Sequence, residues 1–271
     1  MSAPRPAGAL PASPPGATRR ALGRPGARAC LLVLGLWIAA AAVGPELATS
    51  GRLAAPWIVA ATLLGARESA LMVALALGLT LPGGLLLGVV AGAGGRARDG
   101  LLARSIELGS FWPAVVLVPL LGSSLALPPP LALGLAVAIG EGCRVARLVR
   151  SEVLRARAAP WVAAARALGA TRLDLFRHHV LPHAAGPFLI AAAFVAATTV
   201  AVDTAVAFLG LVEASPVSWG GALAASLDGG PDALGPLLAA LAITVACYGL
   251  AGALEAELDP RPPLSPPARS T

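Results

Sequence analysis

Long apolar blocks separated by short connections rich in arginine or glycine make up most of this chain, and apolar residues rarely alternate with polar ones. The blocks fall at 29–43, 69–92, 106–125, 131–143, 186–211 and 233–254. Several approach 20 residues, the length at which a helix rising about 1.5 Å per residue crosses a hydrocarbon core about 30 Å thick. The pattern predicts an all-α membrane protein with six transmembrane helices.

Each block has its own punctuation. The first, bounded by Gly44 and Pro45 with arginines ahead of it, fits either a retained anchor or the core of a signal peptide; the long tail in front and the spans behind favour an anchor over 29–45. In the second, Pro82-Gly83-Gly84 loosens the helix and lets neighbours approach closely. A glycine- and arginine-rich connection, 94–104, leads to the third block, with Glu107 at its interfacial start and Pro128-Pro129-Pro130 as a break after it. The fourth block reaches spanning length only with those prolines and 145–149 included. Thr198, Thr199, Asp203 and Thr204 alone interrupt the fifth, and a polar connection with Glu213, Asp228 and Asp232 precedes the sixth. Residues 1–28 and 260–271 lack periodicity, are rich in proline, and read as disordered tails.

Charge then fixes a topology. All 20 basic residues are arginine, and eight of them lie in 144–177, a stretch too charged for lipid. With the N-terminus in the cytoplasm, only Arg52 and Arg67 fall outside. The positive-inside rule thus places both termini and the segment 144–177 in the cytoplasm. The net charge of +6 is a topology signal spread over connections, not a nucleic-acid footprint. Without lysine the chain cannot build a P-loop.

Residue 161–182 is the least membrane-like structured stretch. Two helical patterns, 162–168 and 173–180, flank Gly169, with apolar positions at Val162, Ala165 and Leu168 and then Leu173, Phe176 and Val180. A featureless spacer would lack that periodicity. The small-residue face of Ala163, Ala164, Ala165 and Ala167 suits insertion into a partner's groove, and a helix lying on the membrane surface is the alternative.

Few side chains suggest chemistry. Cys30, Cys143 and Cys247 lack pairing or metal-ligand spacing. His179 and His183 have helical i, i+4 spacing, but Pro182 lies between them and no carboxylate or cysteine completes a metal set, so His178, His179 and His183 read as solvated or docking residues. Glu141 and Arg144 are spaced for an ion pair. The tryptophans sit mostly near span ends, as interfacial anchors do. Asp203, deep in the fifth block, is a functional position by default, for gating, packing or substrate contact.

At this point the motifs carry a resemblance. Ala164-Ala165, Gly169 and Leu181-Pro182 resemble the EAA loop of binding-protein-dependent ABC importer permeases. Gly65-Ala66-Arg67, Arg147-Leu148-Val149-Arg150, Phe208-Leu209-Gly210-Leu211, Ser218-Trp219-Gly220 and Leu258-Asp259-Pro260-Arg261, in that order, look like the dipeptide/oligopeptide/nickel branch and its second-permease type. The likeness covers roughly residues 60–261. It implies a type I importer architecture, with a permease domain at 60–259 and a cytoplasmic coupling loop at 150–185. The coupling contacts would come from Ala163, Ala164, Ala165, Leu168, Gly169, Leu173, Leu181 and Pro182, and the pathway or gating residues would be Thr199, Asp203 and Phe208.

The partners so implied are a second permease subunit, two ABC ATPase subunits that hold ATP and Mg, an external solute-binding protein and membrane lipid. No cofactor and no nucleic acid belong to the chain itself, which would be no enzyme and would sit in a bacterial inner membrane. The chain departs from the pattern where Ala163 replaces the motif's acidic residue and where His179 stands in an apolar position. The external connection between the first two spans is also short. An ion-coupled secondary transporter is the rival reading; it needs paired ionisable residues at mid-membrane and an inverted repeat, and the sequence offers one lone carboxylate and no clear repeat. A membrane-embedded enzyme lacks its catalytic pair. The solute is not legible from pathway residues that are mostly Ala, Gly, Leu and Thr.

Overall fold

The computed structural model describes residue 20 and residues 22–49, 57–93, 96–158, 162, 169, 171, 181–213, 215, 218–229 and 233–258, and every regular element among them is helical. In chain order these are α1 (Pro25–Thr49), α2 (Trp57–Ala93), α3 (Arg96–Gly109), α4 (Ala114–Leu125), α5 (Pro129–Ala158), α6 (Leu181–Phe208), α7 (Trp219–Leu227) and α8 (Leu234–Leu258). Four stretches within them are long and apolar enough to cross a membrane: Pro25–Gly44, Trp57–Gly92, Pro187–Phe208 and Leu234–Glu257. Gly100–Gly109 and Ala114–Leu125 together form a fifth candidate, bent by 93° at the break between them.

The bundle is organised around α2, whose 37 residues extend about 55 Å. One side of it joins α1, α6 and α8 in a core of Trp37, Ala66, Val73, Ala197, Val200, Trp219 and Ile243. The other side packs on α5 through glycines spaced one turn apart. A Cβ added at Gly84 would stand 2.6 Å from Val145 Cβ, at Gly88 2.6 Å from both Val149 Cβ and the Ala146 carbonyl, and at Gly92 2.8 Å from Val153 Cβ. Where lipid offers no hydrophobic force between helices, close backbone approach of this kind supplies the packing. The expectation that Pro82-Gly83-Gly84 admits a near neighbour is met by Gly84, while Gly83 faces open space.

Several expected boundaries move. The first helix does not stop at Gly44 and Pro45 but runs from Pro25 to Thr49. Trp37 Nε1 donates to Ser69 Oγ at 3.2 Å, Arg24 pairs with Glu257, and a Cβ at Gly249 would lie 2.9 Å from Cys30 Sγ, so α1 is tied along its length to α2 and α8. The second helix starts at Trp57 rather than near 69, carrying Arg67 on an exposed face of the helix. The connection read at 94–104 is helical from Arg96 on, as part of α3. The third block is not one straight helix: Pro113 has extended backbone (φ −67°, ψ 124°) and caps α4, because proline favours a first-turn site and bends whatever precedes it. Pro129 and Pro130 open α5, where their missing N–H groups cost nothing, and the helix then runs unbroken through the short fourth block into the arginine-rich stretch. Of the tails read at 1–28 and 260–271, residues 1–19, 21 and 260–271 lie outside the described residues, while 25–28 form the first turn of α1, which corrects the end of the first tail.

Candidate functional site

The polar connection between the fifth and sixth blocks contains a helix that the sequence reading missed. Ser218, with extended backbone, accepts a hydrogen bond from the Gly221 N–H at 3.0 Å through its Oγ and so caps α7. A serine directly ahead of an apolar run was the available signal. This cap points Trp219 into the bundle, where it is 3% exposed. Its Nε1 donates to the Thr62 carbonyl of α2 at 3.1 Å, and its ring lies against Gly65, where any side chain would overlap it. Next to it, a Cβ at Gly220 would fall 2.5 Å from both Ala207 Cβ and the Thr204 carbonyl of α6. The motifs Gly65-Ala66-Arg67, Phe208-Leu209-Gly210-Leu211 and Ser218-Trp219-Gly220 therefore converge on one cap, at the end where α2 begins and α6 finishes.

Two carboxylates sit just inside this cap. Asp203 of α6 is half-buried and within electrostatic range of Glu68 of α2. Glu68 accepts a hydrogen bond from the Ser215 side chain, while its Oε2 is buried without a partner among the described residues. Asp203 is thus not alone, which corrects the reading of a lone carboxylate. Glu68 escaped notice because it lies ahead of the second apolar block, and the structure extends α2 upstream to include it. Thr199, one turn below Asp203, is fully buried and donates to the Val195 carbonyl at 2.7 Å, spending its hydroxyl within its own helix. Phe208 closes α6 and is exposed, followed by Gly210 at φ +66°, a left-handed turn that glycine takes without strain.

The opposite end of α6, about 40 Å away along the helix, carries the segment singled out as a docking element. Leu181 and Pro182 are the first two residues of α6, the place where proline is tolerated. Gly169 occupies a turn at φ +90° with nothing within 4 Å of a built Cβ, so its glycine character is demanded by the backbone and not by crowding. Val162 is helical and 3% exposed. Ala163, Ala164, Ala165, Leu168 and Leu173 lie outside the described residues, as do His178 and His179. Leading into this segment, Arg157 Nη1 donates to the Gly92 carbonyl at 2.7 Å, filling one of the acceptors left open at the end of α2. Higher on α5, the expected ion pair exists: Arg144 Nη1 meets Glu141 Oε1 at 2.7 Å. What spacing did not reveal is that the same oxygen also receives Thr198 Oγ1 from α6 at 3.2 Å. Among the described residues no group of three or more His, Cys, Asp or Glu is placed to hold a metal.

Residues 84–262 match a family model described as binding-protein-dependent transport system inner membrane component. A Brucella suis protein whose name assigns it to a peptide transport system as permease is 33% identical over 185 residues, covering 66% of this chain and 61% of its own length. The dipeptide transport system permease protein DppC of Alkalihalophilus pseudofirmus is 33% identical over 144 residues, 51% of this chain and 45% of that protein. The oligopeptide transport system permease protein OppC of Bacillus subtilis is 30% identical over 161 residues, 59% and 52% respectively. The chain thus spans about half to three fifths of the length of these relatives.

Proposed function

This chain belongs to the family of binding-protein-dependent transport system inner membrane components, and from that premise we propose that it is the transmembrane permease subunit of an ATP-driven ABC importer for a peptide, a nickel complex or a similar small solute. It would form half of the pathway beside a second permease subunit, with two ABC ATPases below and a solute-binding protein outside. ATP and Mg would be held on the ATPases, and the peptide class is favoured by the names of the relatives. Six crossings follow if the bent pair α3–α4 and the apolar first half of α5 each count as one. The arginine distribution then sets both termini in the cytoplasm.

The observation that carries the reading is the division of labour along α6. Its C-terminal end lies in the cap built by α2 and α7, and its N-terminal end issues from the 161–182 segment. A displacement of that segment by closing ATPases would be delivered directly to the cap, as rigid-body rocking between two access states requires. Co-expression with its neighbouring genes tests this. The detergent-solubilised chain is expected to retain both ATPases, and uptake in vesicles is expected to depend on ATP. Recovery of the chain alone, with uptake that persists without ATP, would discard the importer reading.

The pair Glu68 and Asp203 is the feature that an ion-coupled secondary transporter would need, so that rival keeps one specific observation in its favour. Asp203 lies only five residues from the end of α6, about 8 Å, and not at a midplane relay position. In the importer, its charge beside Glu68 and α7 helps set the balance between closed and open cap. Asp203→Asn is expected to reduce ATP-driven uptake roughly five- to tenfold, the low end of coupling between conformational states, with the membrane level unchanged. Uptake equal to wild type removes any role for the charge, and loss of uptake on collapsing the proton gradient with ATP held constant supports the rival.

A further inference from the structure

We propose that Glu141 and Thr198 form a brace that holds α5 and α6 in fixed register, so that the two arms flanking the coupling segment move as one unit; this rests on the importer reading above. Residue 141 lies seventeen positions before the end of α5 at 158, and residue 198 lies seventeen positions after the start of α6 at 181. The segment 159–180 is therefore suspended from two helical arms of equal length, about 26 Å each, joined at their tops.

The chemistry of the joint is specific. Glu141 is 6% exposed, and a carboxylate so placed needs compensation. It receives charge-assisted bonding from Arg144 at 2.7 Å, whose side chain stays 57% exposed and keeps its own hydration. That pair lies within α5 and cannot by itself fix a neighbouring helix. The bond from Thr198 Oγ1 at 3.2 Å to the same Oε1 can, because it runs between elements 57 residues apart in sequence. Elsewhere the two helices meet through small apolar side chains. Ala136 and Val137 share an apolar cluster with Val195 and Val202, and Val149 and Val153 share another, nearer the segment, with Phe188 and Ala191. Such contacts are non-directional and allow sliding, whereas a directional hydrogen bond has one register. Glu141 and Thr198 are thus positioning residues for coupling: they touch neither solute nor nucleotide.

The arms carry exposed sites for spin labels at Ser151 on α5 and Leu189 on α6. The experiment uses Ser151→Cys and Leu189→Cys in an otherwise cysteine-free background, assembled with the ATPases. The distance between labels is measured without nucleotide and after trapping with ATP and vanadate, so no solute need be known. In the wild-type background the distribution is expected to be narrow and the same in both states. Thr198→Val, which keeps the shape and removes the donor, is expected to broaden it or shift it on trapping by up to about one helical turn, roughly 5 Å. Thr198→Ser is expected to restore the narrow distribution. Glu141→Gln retains an acceptor and is expected to behave like wild type, whereas Glu141→Leu behaves like Thr198→Val, which decides the matter should Thr198→Val not assemble. A wild-type distance that changes on trapping, or a Thr198→Val distribution as narrow as wild type, overturns the brace. If ATP and vanadate trap no complex at all, the importer reading falls and the brace falls with it.

Discussion

Gly88→Leu is expected to prevent accumulation of folded protein, while Gly83→Leu, five residues earlier on the same helix, is expected to leave it unchanged. The contrast follows from what each new side chain meets. At Gly83 nothing lies within 4 Å of an added Cβ, and the position is exposed on a face that in a bilayer would meet lipid. At Gly88 the first added carbon already lies 2.6 Å from the Ala146 carbonyl, a backbone atom that cannot rotate away, and 2.6 Å from Val149 Cβ. Relief requires α2 and α5 to separate. Separation also opens the contacts of Gly84 with Val145 and Gly92 with Val153, and pulls the Gly92 carbonyl away from Arg157. Overpacking ordinarily costs about 1–3 kcal/mol when side chains can adjust, and a backbone clash across a whole interface belongs at or above the upper end of that range. Membrane level and monodispersity of a fluorescently tagged chain, with thermal stability in detergent, read the effect. A Gly88→Leu chain as stable as wild type would mean that the two helices do not meet as described.

Gly169→Val is expected to abolish nearly all ATP-driven uptake while the ATPases still hydrolyse ATP and co-purify. Gly169 stands at φ +90°, in a region that a β-branched residue enters only at a cost of about 1–3 kcal/mol. Space is not the obstacle, since an added Cβ meets nothing. The turn must therefore rearrange, and with it the direction in which the following residues leave toward α6. In the importer proposed above, that direction is what turns ATPase closure into movement of the cap. Gly169→Asn, which tolerates the left-handed region better, is expected to retain a substantial fraction of uptake. Measuring uptake and ATP hydrolysis on the same vesicles separates the two activities. Normal uptake by the valine variant would sink the proposal that this segment transmits ATPase closure to the cap.

The sequence carried the existence and order of the membrane helices but not their ends. Continuous apolar runs mark a helix centre well, because lipid demands internal hydrogen bonding and tolerates few charges. Ends are set by caps and neighbours. Gly44 and Pro45 read as a stop, yet α1 continues past them, with a Cβ at Gly44 standing 3.0 Å from Leu63 Cβ of α2. Pro113 read as part of an uninterrupted span, yet the chain turns there by 93°. In both cases the residue allowed two outcomes locally, and packing chose between them. The candidate site divides in the same way. Asp203 announced itself as a charge in an apolar run, and Gly169 as a punctuation mark between two periodic segments. Glu68 and Thr198 gave no such signal, since one precedes its block and the other looks like an ordinary helix threonine.

Composition and spacing by themselves determined that this chain is a multi-pass helical membrane protein, that its arginines gather in particular connections, and that 161–182 is the stretch whose pattern least resembles a membrane span. These are properties of single segments, fixed by transfer of side chains and backbone between water and lipid. Only the tertiary structure decided which segments meet: Trp219 against Gly65, Asp203 near Glu68, Thr198 on Glu141, and the glycines of α2 against the valines of α5. Such pairings depend on the rotation of each helix about its axis. An apolar helix surrounded by apolar chain has almost no amphipathic stripe to fix that rotation, so it is settled by close packing of small residues and by a few buried hydrogen bonds.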